Sequence, residues 1–435
     1  MSTQPSQVRQ PPATPTYILR GHAAAIHALQ IFHQNLRLVS GDADGWIVVW
    51  DLVFKRPLAV WKAHDGAVLE VKGFTFRNGA VTEVFTHGRD HKLRVWRFSV
   101  QDEEVLQKTL PVDITETTSS AAPQPWLVHS LPVNALNFCA FTMVFLPPSR
   151  SNTEGVLSEA SGENKSLSSA LIAVPNALDS GAIDLFHLPQ ERRICTIPAD
   201  PETKTGMVMA ANLVLSESGE LYVTSAYEDG HVMVMGCRGP LHEKDLAQNA
   251  KTAWKWEKLY ACRAHSQPAL SIYVSPAGDY FFSSSADAVL AKHPIPSLGA
   301  PGYREESPIK SINTKHAGQQ GVRIRSDGKI FATAGWDSRV RVYSCKTMKE
   351  LAVLKWHKDG CYAVGFADIA GFESSEASTG EERHTPQDDN VDTQLARRAE
   401  FSLATVHRQR NQKVQNTHWL AAGSKDGKIS LWDIY

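Results

Sequence analysis

Leu38-Val39-Ser40-Gly41-Asp42-Ala43-Asp44-Gly45-Trp46-Ile47-Val48-Val49-Trp50-Asp51 decides the fold. Two short runs of apolar and β-branched residues flank an Asp-Gly pair, the strongest short-range signal for a tight β-hairpin. The frame returns as Val84-Phe85-Thr86-His87-Gly88-Arg89-Asp90-His91-Lys92-Leu93-Arg94-Val95-Trp96. It returns again as Leu420-Ala421-Ala422-Gly423-Ser424-Lys425-Asp426-Gly427-Lys428-Ile429-Ser430-Leu431-Trp432-Asp433. Weaker copies keep a turn residue six positions before a large residue: Asp229 before Met235, Asp287 before His293, Asp337 before Tyr343, and Ser180 before Phe186. Internal similarity at this period is the mark of a repeat architecture.

Upstream of most hairpins stands a His closing a short strand and opening another. Examples are Gly21-His22, Ala63-His64 and Ala264-His265, with Lys315-His316 and Trp356-His357 as degenerate forms. Each unit then holds four short strands, which is one propeller blade. These units look like the WD repeat, and seven of them imply an all-β, seven-bladed WD-repeat propeller. The chain ends bear on closure. Tyr17-Ile18-Leu19-Arg20 leads into a His with no blade before it, and Leu431-Trp432-Asp433-Ile434-Tyr435 is the third strand of the last unit. The N-terminal strand is therefore expected to complete the C-terminal blade, leaving no open edge.

The domain reading follows: a disordered tail over 1–15, one propeller over 16–435, and disordered insertions over 147–169 in blade three and 368–416 in blade seven. The second insertion is acidic first (Glu373 to Asp392) and basic after (Arg397 to Lys413), with a short helix expected near 393–403. Arg238 to Thr252 reads as a polar connection after blade four.

Bulk properties exclude several functions. With 45 basic and 46 acidic residues, net charge −1, no global field draws this chain to nucleic acid or an anionic membrane. No apolar run approaches a membrane span, and the polar, proline-containing N-terminus is unlike a signal peptide. Six cysteines without a C-x-x-C pair, several in apolar runs, read as buried thiols rather than disulfides or a metal site. No H-E-x-x-H, phosphate loop or G-x-S-x-G elbow is present, so no cofactor, metal or small-molecule substrate is expected.

In the WD-repeat pattern, the His, a Ser or Thr, the turn Asp and the Trp form a chain of hydrogen bonds. His22, Ser40, Asp44 and Trp50 match it in blade one; His64, Thr86, Asp90 and Trp96 match in blade two. His316, Thr333 and Asp337, with Tyr343 for Trp, match in blade six, and Asp426 and Trp432 in blade seven. Such sets are read as structural: a half-buried Asp needs donors, and sets spread around a ring do not converge on one site. The residue before each turn Asp is expected at the rim of one face. Arg89, Glu228, Trp336 and Lys425 occupy that place and are the candidate partner-binding residues. Trp336 is either a contact anchor or a cover for a neighbouring blade. The basic half of the long insertion reads as a solvated linker before a nucleic-acid contact.

Thr14-Pro15-Thr16-Tyr17-Ile18-Leu19-Arg20-Gly21-His22, the stretch Ser40 to Leu52, Ala63-His64-Asp65-Gly66-Ala67-Val68-Leu69, Thr86 to Trp96 and Gly423 to Trp432 together resemble the fungal ASTRA-associated protein 1 family, a relative of the G-protein-β-like WD proteins. The resemblance is specific in blades one, two and seven and loose in blades three to five. It implies a non-enzymatic scaffold subunit of a nuclear assembly linked to chromatin remodelling. The implied partners are RuvB-like ATPases, the co-chaperone subunits that mature phosphatidylinositol-3-kinase-related kinases, and a large pseudokinase. Two other readings stand beside it. A G-protein-β-like signalling adaptor would want a heptad-patterned N-terminal helix, and residues 1–16 have none. A propeller enzyme with a site in the central channel would want clustered carboxylates or metal ligands on successive inner strands.

Overall fold

The computed structural model describes residues 13–77, 79–114, 123–134, 138–147, 169–238, 254–299, 304–305, 307–369 and 391–434. Their strands form seven antiparallel sheets arranged as a β-propeller. Strands a to d run outward from the channel in each blade. Blade one is Ile26–Phe32, Arg37–Asp42, Trp46–Asp51 and Arg56–Lys62. Blade seven is Cys361–Phe366, Trp419–Ser424 and Lys428–Asp433, and its fourth strand is Tyr17–Arg20 from the other end of the chain. Tyr17 pairs with Leu431 and Arg20 with Lys428, so the N-terminal strand closes the ring as the chain ends led one to expect.

Alternation along each strand sends successive side chains to opposite neighbours. Leu38 belongs to the apolar cluster between blades seven and one, and Val39 to the cluster between one and two. Seven such clusters fill the seven gaps between adjacent blades, and the largest lies where the ring closes between blades seven and one. The framework tryptophans Trp50, Trp96 and Trp432 each sit in one of them.

The up-and-down path places the b–c turns and d–a loops on one face, called the top. The a–b and c–d connections lie on the opposite face. Connections differ from the sequence reading in two places. Trp256–Arg263 is the d strand of blade four, so 238–252 interrupts that blade instead of following it. Arg304–Glu305, from blade five, adds a fifth, parallel strand outside it. The insertion in blade seven contains a 26-residue helix, α1 (Val391–Asn416), where the sequence suggested a short one near 393–403. Residues 1–12 of the tail expected over 1–15 and most of the insertions (148–168 and 370–390) lie outside the described residues.

Candidate functional site

The buried polar chains and the top-face rim have to be told apart. In blade one, Trp50 Nε1 donates to Ser40 Oγ at 2.9 Å, Ser40 lies 2.8 Å from His22 Nε2, and His22 Nδ1 lies 2.7 Å from Asp42 Oδ2. The aspartate is Asp42, not Asp44 as the pattern had it. Asp42 is fully buried at the end of strand b, and its other oxygen accepts the backbone N–H groups of Asp44 and Trp46 at 3.0 and 2.9 Å. Asp44 is exposed at the turn. Blade one thus has two carboxylates within one turn, and the one inside takes the histidine.

Blade two holds its set as placed: His64 to Asp90 at 2.8 Å, His64 to Thr86 at 2.8 Å and Trp96 to Thr86 at 3.1 Å. Arg94 adds a 2.8 Å bond to Asp90. Burial pushes the Asp90 carboxyl up, but His64 and Arg94 outweigh it and hold the group well below the usual carboxylate range. Blade six departs from the pattern. His316 is half-exposed and 3.7 Å from Asp337, while Arg341 grips that carboxylate at 2.6 and 3.1 Å. Arg341 faces Thr333 across the hairpin, as Arg94 faces Thr86, and being permanently charged it takes over the histidine's role.

Blade five contains a set that the reading of the sequence missed, and blade seven joins the expected Asp426 and Trp432 through two residues that it did not assign, His357 and Ser430. Asp287, His265, Ser283, His293 and Tyr260 are linked at 3.3, 2.7, 2.8 and 3.0 Å. His293 stands where the Trp would be, stacked on Phe281, and burial pushes its pKa down to about 3. In blade seven, His357 and Trp432 each bond Ser430 at 2.8 Å, with Asp426 3.3 Å from His357. Ser430 faces Ala422 in the ladder, so the hydroxyl has crossed from strand b to strand c. A search for a hydroxyl at either of the two facing positions would have found it.

Ser40, His22 and Asp42 have the spacing of a nucleophilic triad, but Ser40 is fully buried and its oxygen already takes the Trp50 N–H. A substrate carbonyl has no route to it, and the same chain recurs blade after blade. Among the described residues no group of three or more His, Cys, Asp or Glu is placed to hold a metal ion. No disulfide joins any of the six cysteines; burial pushes the Cys139, Cys195 and Cys361 thiols up to about 12, far from a reactive thiolate.

The rim residues lie on the top face, one per turn, all exposed. Arg89 places its guanidinium 4.4 Å from the centre of the Phe138 ring, itself 59% exposed. Trp336 is 47% exposed. Its indole lies over Gly318, where any Cβ would come within 2.1 Å of Trp336 Cε3, and its Nε1 donates to Gln320 at 2.9 Å. Trp336 therefore covers its own blade's entry loop and still presents an edge to solvent. Phe138 and Gln320 line one cavity of about 180 Å³ at the channel mouth, with His27 and Tyr362 edge to face at 5.4 Å beside them. Arg89 and Trp336 so flank the same mouth. Glu228, tied to Met207 by its backbone N–H at 2.9 Å, and Lys425, tied to Gly360 the same way at 2.9 Å, project from blades four and seven.

Deeper in, Arg323 of blade six meets Glu70 of blade two across the channel at 3.1 Å, with its guanidinium 5.2 Å from the centre of the Tyr273 ring. This bridge makes the channel a braced interior. Lys72 lies beside it, its pKa lowered by burial.

The sequence matches the family model of ASTRA-associated protein 1 over residues 15–432. It is 82% identical to the ASTRA-associated protein 1 of Aspergillus niger and 66% identical to that of Aspergillus flavus, in both cases over 100% of each chain. To the ASTRA-associated protein 1 of Schizosaccharomyces pombe it is 33% identical, over 81% of this chain and 93% of the relative.

Proposed function

The chain belongs to the ASTRA-associated protein 1 family, and on that premise we propose that it works as a non-enzymatic scaffold subunit of the nuclear ASTRA complex. The reading extends to chromatin remodelling and to the maturation of phosphatidylinositol-3-kinase-related kinases. RuvB-like ATPases, kinase-maturation co-chaperone subunits and a large pseudokinase are its partners. The observation that carries the scaffold role is the top face. Exposed Trp336, Phe138 and Arg89 surround one channel mouth on a rigid ring, and Trp and Arg are the residue types that most often anchor interfaces. The histidines of the chains in blades one, two, five and seven are buried and consumed by the fold, which leaves the rim as the surface free to specialise.

The test is affinity purification of the tagged chain from its own cells, wild type beside Trp336→Ala, read by quantitative mass spectrometry. Wild type is expected to bring down RuvB-like ATPases and kinase-maturation subunits, and the variant to lose one of these about tenfold or more, since interface tryptophans contribute about 2 kcal/mol or more. Recovery of none of them, with a Gγ-like subunit or a metabolic enzyme instead, overturns the assignment. An unchanged partner list in the variant removes Trp336 from the interface.

A further inference from the structure

On the face opposite Trp336, the connection between the first two strands of blade seven leaves the ring at Asp368 and returns through helix α1. Asn35, in the a–b turn of blade one, holds both ends. Its Oδ1 accepts the Asp368 N–H at 2.8 Å, and its Nδ2 donates to the carbonyls of Asp368 and Gln415 at 2.8 and 3.0 Å. With 26 residues the helix is about 39 Å long. Its C-terminal end is docked: Val414 is buried, its carbonyl takes Trp419 Nε1 at 3.0 Å, and Gln415 bonds Gln34 at 3.1 Å. Further out, His407 meets Phe54 edge-on at 5.9 Å. Beyond it Leu403 is 63% and Val406 40% exposed, and Phe54 itself is 48% exposed.

The spacing gives this exposure its meaning. Leu403, His407, Asn411 and Val414 fall at i, i+4, i+8 and i+11, one stripe of an α-helix. The stripe that seats the helix on the ring thus runs on past its outermost aromatic contact and offers a leucine to solvent. Helices with little tertiary support are marginal in water. Charge selects what covers the stripe. From Leu403 to Asn416 the helix carries Arg408, Arg410 and Lys413 and no carboxylate. Lys55 of blade one is in the same turn as Phe54; burial lowers its pKa, the Asp51 carboxylate opposes this, and Lys413 is near enough to lower it further.

We propose that the corner between the outer part of helix α1 and the Phe54–Lys55 turn of blade one is a docking site for a protein segment that carries apolar anchor residues flanked by carboxylates. The segment lays its anchors against Leu403, Val406 and Phe54 and its carboxylates against Arg410, Lys413 and Lys55, the helix-in-groove mode of recognition. A flat bilayer cannot follow a corner whose floor is the ring, and a nucleic acid has nothing to place on an apolar stripe. This surface is independent of the reading of the top face.

The experiment places the photo-crosslinker p-benzoylphenylalanine at position 403 of the full-length tagged chain in its own cells, with position 408, on the other side of the helix from Leu403, Val406, Arg410 and Lys413, as control. The crosslinked peptide is identified by mass spectrometry. The expected result is one partner segment, rich in Asp or Glu around apolar residues, joined at 403 and not at 408. Arg410→Glu with Lys413→Glu is expected to reduce that adduct at least about tenfold, close interfacial charge pairs being worth about 1.5 kcal/mol or more. Both residues are exposed, and an unchanged melting curve checks that the ring stays folded. Trp336→Ala is expected to leave the 403 adduct unchanged, so failure here and failure of the top-face reading are separately visible. An adduct only to lipid, to nucleic acid or to another copy of this chain overturns the proposal. So does a partner segment without carboxylates, or an adduct indifferent to the charge reversal.

Discussion

Asp42 and Asp44 stand two residues apart, and burial alone separates their roles. Asp42 accepts three hydrogen bonds inside the ring, while the exposed carboxylate of Asp44 accepts none among the described residues. Asp42→Ala would leave His22 Nδ1 and two backbone N–H groups without their acceptor, and is expected to destabilise the protein by about 3 kcal/mol. Asp44→Ala is expected to stay within about 0.5 kcal/mol of wild type. Urea denaturation of the two variants checks the order, and equal midpoints would return the network to the turn position. At this scale the sequence was legible where each position of the pattern is filled by its usual residue, as in His64, Thr86, Asp90 and Trp96. It was not legible where a different group does the same electrostatic work: Arg341 for a histidine, His293 for a tryptophan, Ser430 from the facing strand for a hydroxyl on strand b. A hydrogen bond asks for a donor at a place in space, and two facing strands offer two sequence positions for each place.

Hairpins are the elements that local sequence specifies best, because Asp-Gly turns and β-branched strands act over a few residues. All seven b–c hairpins lie where the turn residues put them, Ser180 and Phe186 included. Helix α1 shows the opposite case. Its composition is that of a polar, charged segment, and a distant asparagine ties down its C-terminal end. Asn35 also sits at φ 66°, a conformation that asparagine tolerates better than most side chains. Asn35→Ala is expected to free the insertion while the blades stay folded. Limited proteolysis should then cut within 368–416 several-fold faster, with the far-ultraviolet spectrum of the sheets unchanged. Loss of the sheet signal together with the insertion would mean that Asn35 supports blade one itself.

The ring as a whole is held by apolar clusters between blades and by one non-covalent seam, the pairing of Tyr17–Arg20 with Lys428–Asp433. Leu19, 2% exposed, inserts from that seam into the cluster shared by blades seven and one. Leu19→Ala is expected to cost about 3 kcal/mol, lowering the denaturation midpoint. Removing residues 1–12 instead is expected to leave the midpoint unchanged, since the seam begins beyond them. An equal loss from both changes would put part of the closure in the tail.

The repeat, the number of blades, the strand that closes the ring and the rim position of each turn residue were all readable along the chain. All of these follow from periodicity and short-range turn chemistry, which a linear reading contains. Folding settled which of two neighbouring aspartates is buried, and it brought Arg323 to Glu70 across the channel, 253 residues away in the chain. It also decided that Trp336 lies on its own loop with an edge left free, and that a charged insertion returns as a helix with an unfilled apolar corner. Those features are meetings between residues far apart in sequence, and burial, the quantity that ranks them, exists only once the ring has closed.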